Sequence, residues 1–222
     1  GAGAYYLADG STNRDAGTPD IDPALAADLR GKSTYPPLVY SNVTISADMT
    51  FSPQVQRDTD LPDIGYHYDP LDYYFSQTML TNATLIVAPG TAIGVYPLAT
   101  WYGLEVGSGG NLKCQGTADS PIRIAQLKTV QEDPFPIQNP YDDVSIFAFT
   151  PAGNPLPQYS FEFTKWYALA QDGHHFFGYL PTYQPPVFQN CEFLSGAFFD
   201  EGQPFYATNC LFERTFVDVE ED

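Results

Sequence analysis

Short apolar segments separated by turn residues fill the middle of the chain, between residues 82 and 125. Each segment is four to seven residues long, a length that suits β-strands and is too short for ordinary helices. The dipeptide Pro89-Gly90 and the glycine-rich run 107–110 supply turns between them. On this basis strands are predicted over 82–88, 91–96, 103–106, 111–114 and 121–125. Short strands with turns at such regular intervals are typical of a β-solenoid or a β-sandwich.

The first 70 residues combine one helix signal with further strand signals. Asp22 is a good N-cap, Pro23 suits the first helical position and Gly31 offers an exit, so a short helix is predicted between them. We expect this helix to be a connector packed on a sheet. Further strands are predicted over 37–40, 43–46, 49–51 and, from the alternation of Ile64, Tyr66 and Tyr68, over 64–68.

The motif Asn-Cys-x-Phe occurs twice near the C-terminal end, at 190–193 and 209–212. The copies are 19 residues apart, about one minimal coil of a solenoid, so we expect them to stack on consecutive coils. An inward stack of Asn amides at a corner, beside a ladder of Cys and Phe in the core, would satisfy the amide donors and acceptors. Free thiols and a Cys191–Cys210 disulfide both remain open. The predicted ladder comprises Asn190, Cys191, Phe193, Asn209, Cys210 and Phe212.

Prolines crowd residues 128–158, with six of them within 24 positions. Only one strand, over 144–149, is predicted among them. Because proline removes a backbone donor and fixes φ, the stretch is expected to be a long loop or flap that projects from the coil.

Two stretches resemble known bacterial proteins. The run TLIVAPGTAIGVY, followed by GLEVGSGGNLKCQGTADSPIRIAQL, covers 84–127 and resembles the first coils of secreted or surface parallel β-helix proteins. The resemblance implies an all-β, right-handed parallel β-helix. It also implies a family whose activities range from adhesins and surface-layer-like proteins to polysaccharide-degrading enzymes.

The first 75 residues are similar to a different part of such proteins. The runs 5–11, 15–18 and 63–66 resemble the closing segment of pectate-lyase-like β-helices, although Thr12 replaces the usual proline. This resemblance implies that residues 1–75 close one solenoid module and that residues 76–222 form a second, with the Pro-rich insertion inside it. We therefore expect the chain to be a piece of a larger polypeptide.

The charge of the chain narrows the classes of partner. Against 27 Asp and Glu stand 9 Lys and Arg, a formal net charge of -18. Such a surface repels phosphate backbones and anionic lipids, so nucleic-acid partners are excluded. No apolar run reaches membrane length, so no membrane insertion is expected. An extracellular or cell-surface location is expected, with Asn42 and Asn82 in N-x-T triplets as candidate glycosylation sites.

One acidic cluster is a candidate calcium site. Asp58, Asp60 and Asp63 alternate along a loop, and carboxylate oxygens are the ligands that calcium prefers. The alternative is that these residues make turns and caps, because the spacing matches no known calcium loop. No other cofactor is expected.

Enzymes of the β-helix class that the chain resembles place their catalytic and sugar-binding groups on one exposed sheet. Glu162, Glu192 and Glu213, with Lys165 and Arg214 nearby, are the acids that could line one outer face. An ordinary solvated face explains them as well, so no catalytic residue is assigned. Aromatic side chains that could stack on a sugar ring are Trp101, Tyr102, Trp166 and Tyr167.

The sequence thus predicts an extracellular structural or adhesive β-helix without catalysis. Unpaired strands at the ends of a solenoid invite further strands to pair, so end-to-end self-association into fibres is expected. The alternative is a β-helix that binds or cleaves polysaccharide, as a lyase or a glycoside hydrolase, which rests on analogy of fold.

Overall fold

The computed structural model describes residues 5–96, 102–131, 144–150, 154–168, 173–178, 183–201 and 204–220. Within these ranges the chain forms twenty β-strands, one α-helix (α1, Pro23–Leu29) and one 3-10 helix (Leu127–Thr129). The strands are parallel to their sheet neighbours, and each pairs with the strand three places along the chain. Three strands therefore make one coil of a parallel β-helix, and the predicted fold class is confirmed.

Three sheets run along the stack of coils. Sheet one contains β1 (Leu38–Ser41), β4 (Tyr73–Ser76), β7 (Ala92–Val95), β10 (Ile122–Gln126), β13 (Thr164–Tyr167), β16 (Glu192–Leu194) and β19 (Leu211–Glu213). Sheet two contains β2 (Thr44–Ile45), β5 (Thr78–Leu80), β8 (Tyr102–Val106), β11 (Val144–Ala148), β14 (His174–Gly178), β17 (Ala197–Glu201) and β20 (Phe216–Glu220). Sheet three contains β3 (Met49–Phe51), β6 (Thr84–Val87), β9 (Asn111–Gln115), β12 (Gln158–Glu162), β15 (Val187–Gln189) and β18 (Tyr206–Thr208).

Tight corners turn the chain from one sheet to the next. Asn42, Asn82, Asn190 and Asn209 each occupy a corner with φ between 50° and 55°. Asparagine tolerates this left-handed conformation better than most residues. The corner at Phe163, with a φ of 43°, departs from that preference.

The core is a triangle of apolar side chains in each coil. In the coil that runs from β15 to β17, Phe188, Phe193 and Phe198 point inward, one from each sheet, and all three are fully buried. Their ring centroids lie 5.4 to 5.8 Å apart with edge-on geometry. Each strand thus contributes a side chain to a shared core because its inward face is apolar.

The coils are joined along the stack by ring-on-ring contacts. Phe193 lies between Trp166, with centroids 5.7 Å apart, and Phe212, with centroids 4.6 Å apart, and all three rings are nearly parallel. Phe161 stacks on Phe188 in the same way at 4.9 Å. Such offset aromatic pairs add to the free energy gained by burial.

The N-terminal region differs from its prediction in two ways. The short helix forms, with the Asp22 carboxylate accepting from the backbone N–H groups of Ala24 and Leu25, but it has no buried residue and does not pack on a sheet. The strand predicted over 64–68 is wrong, since only an isolated bridge between Ser33 and Tyr68 forms there. Alternating apolar residues produced that prediction, but 64–66 are exposed and have no sheet beside them.

The coils continue across the module boundary predicted at residue 75. That position falls inside β4, which pairs with β1 on one side and with β7 on the other. Residues 38–51 are therefore the first coil of this solenoid. Strand β11 is likewise a coil strand between β8 and β14, so the prediction that residues 144–148 belong to a projecting flap is wrong. Residues 132–143 and 151–153 of the Pro-rich stretch lie outside the described residues.

Candidate functional site

The acidic cluster at Asp58 and Asp63 is built into a hydrogen-bonded network. Asp58 accepts from His67 Nε2 at 2.6 Å and from the Asp63 backbone N–H at 3.0 Å. The Asp63 carboxylate faces Arg14 at 3.4 Å and accepts from the Thr34 hydroxyl. The network ties the N-terminal segment to the loop after β3.

The geometry of this network is relevant to the calcium site predicted at the acidic cluster. Asp60 is exposed, while Asp58 and Asp63 are directed at His67 and Arg14. In the described part of the chain, no three His, Cys, Asp or Glu side chains are grouped so as to hold a metal ion. Calcium binding at Asp58, Asp60 and Asp63 therefore stays a prediction, and the contacts that Asp58 and Asp63 make are with His67, Arg14 and Thr34.

The two Asn-Cys-x-Phe motifs lie in register on consecutive coils. Asn209 Nδ2 donates to Asn190 Oδ1 at 2.6 Å, although the amides lie at the surface of the corner instead of pointing inward. Cys191 is buried, Cys210 is half-buried, and both are free thiols. Burial is the main cause that raises the pKa of the Cys191 thiol to about 12, which makes it a weak nucleophile.

The predicted sugar-binding aromatics do not form one platform. Trp166 is fully buried in the core, so its ring faces cannot reach a sugar. Tyr167 is half-buried beneath the Arg123 guanidinium, 5.2 Å from the ring centroid. Tyr102 is half-buried and stacks on Phe147, with centroids 5.9 Å apart. Trp101 lies outside the described residues.

The three glutamates proposed as a face of acids lie apart. Glu162 ends a strand of sheet three, whereas Glu192 and Glu213 lie in sheet one. Glu192 is in register with Lys165 and Leu211, not with Glu213. Glu162 and Glu192 therefore do not line one outer face, although each precedes a phenylalanine, because Phe163 is a corner residue whereas Phe193 is a core residue of sheet one.

A shallow groove of about 410 Å³ follows the corner between sheets three and one. The Lys165 ammonium and the Glu192 carboxylate, 2.9 Å apart, are its charged groups. Their hydrogen bond is the main cause that raises the pKa of Lys165. The other lining residues are Ala118, Pro121, Phe163, Asn190, Cys191, Asn209, Cys210 and Leu211.

The candidate glycosylation residues Asn42 and Asn82 are both exposed at corners. The Asn82 amide already donates to the Thr81 hydroxyl at 3.3 Å, and its oxygen lies close to Gly109. Asn42 lines a small cleft beside Val43, Thr44 and Tyr102.

The two ends of the described stack carry several exposed apolar residues. At the end that we call the head, formed by β1, β2 and β3, Leu38, Val39 and Val43 are exposed. At the end that we call the tail, formed by β18, β19 and β20, the exposed apolar residues are Tyr206, Leu211, Phe216 and Val217. Each of these six strands has a sheet neighbour on one side only among the described strands.

Alternate backbone groups on these strands point away from the stack. Leu38 and Asn42 donate to the neighbouring coil, so by the period of two the N–H groups of Val39 and Ser41 face outward from the head. At the tail, Tyr206 donates to Pro186, which leaves the N–H of Ala207 facing outward. The sequence signalled short strands here but could not show which of them would lie at an edge.

Comparison of the chain with protein-family models, with curated proteins and with solved structures gave no match. Among the described residues, no helix is long and apolar enough to cross a membrane.

Proposed function

We propose that this chain is a structural β-helix protein of the extracellular space or cell surface, without catalysis, which associates with further copies through the ends of its stack. The observation that carries the proposal is the exposed apolar edge of the described strands β1, β2 and β3, and of β18, β19 and β20. Exposed strand edges are templates for pairing with another chain unless charges, prolines or a covering segment block them. Here the edges carry exposed valine, leucine and phenylalanine.

The ends are large enough to support a specific contact. Strands β1, β2 and β3 contain four, two and three residues, and β18, β19 and β20 contain three, three and five. A parallel ladder makes roughly one hydrogen bond per paired residue, so one junction of three strand pairs would hold about eight, which is within the range found in an ordinary protein interface.

The proposed extracellular location is supported by the amino-acid composition and by two exposed asparagines at the corners. The strongly acidic, lysine-poor chain is suited to solubility outside cells. The Asn of both N-x-T triplets is exposed, as an acceptor for glycans must be.

A test of the proposal uses proline at edge positions. Val39→Pro at the head and Ala207→Pro at the tail each remove an N–H that has no partner within the stack, so the fold should survive. We expect the unaltered chain to form linear assemblies in electron micrographs, and each proline variant alone to stop at small species. Val39→Thr and Ala207→Ser, which keep the N–H groups, serve as matched controls and should assemble.

A mixture of the two proline variants provides a more specific test of head-to-tail association. The intact tail of one variant can meet the intact head of the other, so sedimentation velocity should show dimers and no longer species. An unaltered chain that stays monomeric at high concentration would contradict the proposal.

A second candidate function is the binding of a polysaccharide. The groove at the corner between sheets three and one favours it, since the Lys165–Glu192 pair and the Asn amides lie beside exposed Leu211. Calorimetric titration with neutral and acidic glycans would test it, and Glu192→Gln should weaken any binding that uses the groove.

A further inference from the structure

Cys191 and Cys210 occupy equivalent positions on two consecutive coils. Each follows a corner asparagine, Asn190 with a φ of 55° and Asn209 with a φ of 52°. The Leu211 N–H donates to the Cys191 carbonyl oxygen at 2.9 Å, and the strands that follow, β16 and β19, are paired in register. The Cα atoms of the two cysteines are therefore about one strand spacing apart, roughly 4.8 Å. That separation lies within the range that a disulfide spans.

The two thiols contact each other and have only weak hydrogen bonds to the backbone. The Cys191 Sγ donates to the Gln189 carbonyl oxygen at 3.4 Å, and the Cys210 Sγ donates to the Thr208 carbonyl oxygen at 3.5 Å. Bonds from a thiol are weak, so little is lost when the protons leave. Burial is the main cause that raises the pKa of the Cys191 thiol, and a hydrogen bond with the Cys210 side chain raises this pKa further. The two side chains are therefore direct neighbours.

Both cysteines line the groove of about 410 Å³ at the corner between sheets three and one. Cys210 is half-buried whereas Cys191 is buried, so a reagent in the groove contacts the Cys210 sulfur first. The Lys165 ammonium and the Glu192 carboxylate present opposite charges in the same groove. A small amino-acid disulfide such as oxidised glutathione carries carboxylates and ammonium groups, so its charges complement this pair.

We propose that Cys191 and Cys210 form an oxidation site, at which a small amino-acid disulfide converts the two thiols into an intramolecular disulfide. The Cys210 thiolate attacks one sulfur of the small disulfide, which gives a mixed disulfide and releases one small thiolate. The Cys191 thiolate then attacks the Cys210 sulfur and displaces the second small thiolate. The two protein thiols lose two electrons and two protons, and both end on the two small thiols. This reaction does not depend on association through the ends of the stack.

The disulfide would link two consecutive coils. It encloses residues 192–209, which contain the strands β16, β17 and β18. A cross-link of this kind stabilises a fold mainly because it removes conformations from the unfolded chain. Oxidation should therefore raise the melting temperature of the chain, and a reductant should return it to its former value.

The reaction of the reduced chain with oxidised glutathione tests the proposal. We expect two of the three cysteines to lose their free thiol, and the mass of the product to fall by two hydrogen atoms without added glutathione. Proteolysis after glutamate separates residues 163–192 from residues 202–213, so these two peptides should stay joined until a reductant is added. The oxidised chain should melt about 5–10 °C higher than the reduced chain.

Three variants assign the roles of the cysteines. Cys191→Ala should stop at the mixed disulfide on Cys210, because the second attacking thiol is missing. Cys210→Ser should react at least about tenfold more slowly, because its remaining thiols are buried. Cys114→Ala is the matched control and should still form the disulfide.

Several results would overturn the proposal. They are three thiols that persist in the unaltered chain, a stable glutathione adduct on Cys210 of that chain, and a cross-link that includes Cys114. An oxidised chain that melts no higher than the reduced one would also overturn it.

Discussion

His175 shows how a single buried group is accommodated in this core. Its ring is fully buried beside Trp166 and Phe193, and its Nε2 lies 2.7 Å from the Ser195 carbonyl oxygen, to which it donates. Desolvation by burial is the main cause that lowers its pKa from 6.5 to about 4. The imidazole is therefore neutral in the folded chain, because a charge there would lack both water and a counter-ion.

The lowered pKa of His175 predicts a loss of stability on acidification. Between pH 6.5 and about 4 the unfolded chain binds a proton that the folded chain does not, so lowering the pH through this window favours unfolding. At about pH 4 the resulting loss in the free energy of unfolding reaches about 3 kcal/mol, since one pKa unit corresponds to about 1.4 kcal/mol. Denaturant titrations from pH 7 to pH 4 should show it.

His175→Gln provides the comparison, because it keeps a donor for Ser195 and does not titrate. The variant should lose less stability over the same pH range than the unaltered chain. Equal pH dependence of the two chains would refute the assignment of a lowered pKa to His175.

At the scale of elements, Asp72 joins the loop after β3 to the strands of sheet one. The side chain is fully buried and accepts two hydrogen bonds from Arg57, at 2.7 and 3.1 Å. It also accepts from the backbone N–H groups of Gln54, Val55 and Ala92. The loop is thereby held beside β4 and β7, on the outer side of sheet one.

Asp72→Ala should lower the free energy of unfolding by about 3–5 kcal/mol, because it leaves a guanidinium and three backbone donors without their acceptor. Asp69→Asn is the control, since the Asp69 side chain is half exposed and pairs with Lys32 and Arg123 at the surface. Asp69→Asn should lower the free energy of unfolding by less than about 1 kcal/mol. Equal losses in urea denaturation would contradict the role given to Asp72.

At the scale of the whole molecule, the charge of -18 opposes the proposed assembly. Copies that stack end to end repel one another, and Glu213 and Asp218 place part of this charge at the tail. The screening length is about 10 Å at 0.1 M salt and about 3 Å at 1 M. Repulsion between copies is therefore sensitive to ionic strength, whereas hydrogen bonds at the junction are less so.

Assembly of the unaltered chain should accordingly increase when sodium chloride is raised from about 0.05 M to about 0.5 M, as followed by light scattering. Calcium chloride at matched ionic strength serves as a comparison. A much larger effect of calcium, lost in Asp58→Asn, would favour the predicted calcium site. Dissociation by salt would contradict an assembly limited by charge repulsion.

Several elements could be predicted because their signals are local. The strands between 82 and 125, the N-cap at Asp22 and the 19-residue repeat all depend on neighbours along the chain, so periodicity and turn residues identify them. The same method failed over 64–68, because alternation of apolar residues shows that a strand could have an apolar face but not that another strand lies beside it.

The sequence by itself determined that the chain would form short strands. Its resemblance to parallel β-helix proteins implied that these strands would stack as a parallel solenoid, with the Asn-Cys-x-Phe copies on successive coils. Only the tertiary structure decided that β11 joins sheet two, that Glu192 pairs with Lys165 and that Asp72 anchors a loop. It also decided which strand edges lie open. These features depend on residues that are distant in sequence and become neighbours only when whole coils are stacked. No local pattern of residues along the chain therefore predicts them.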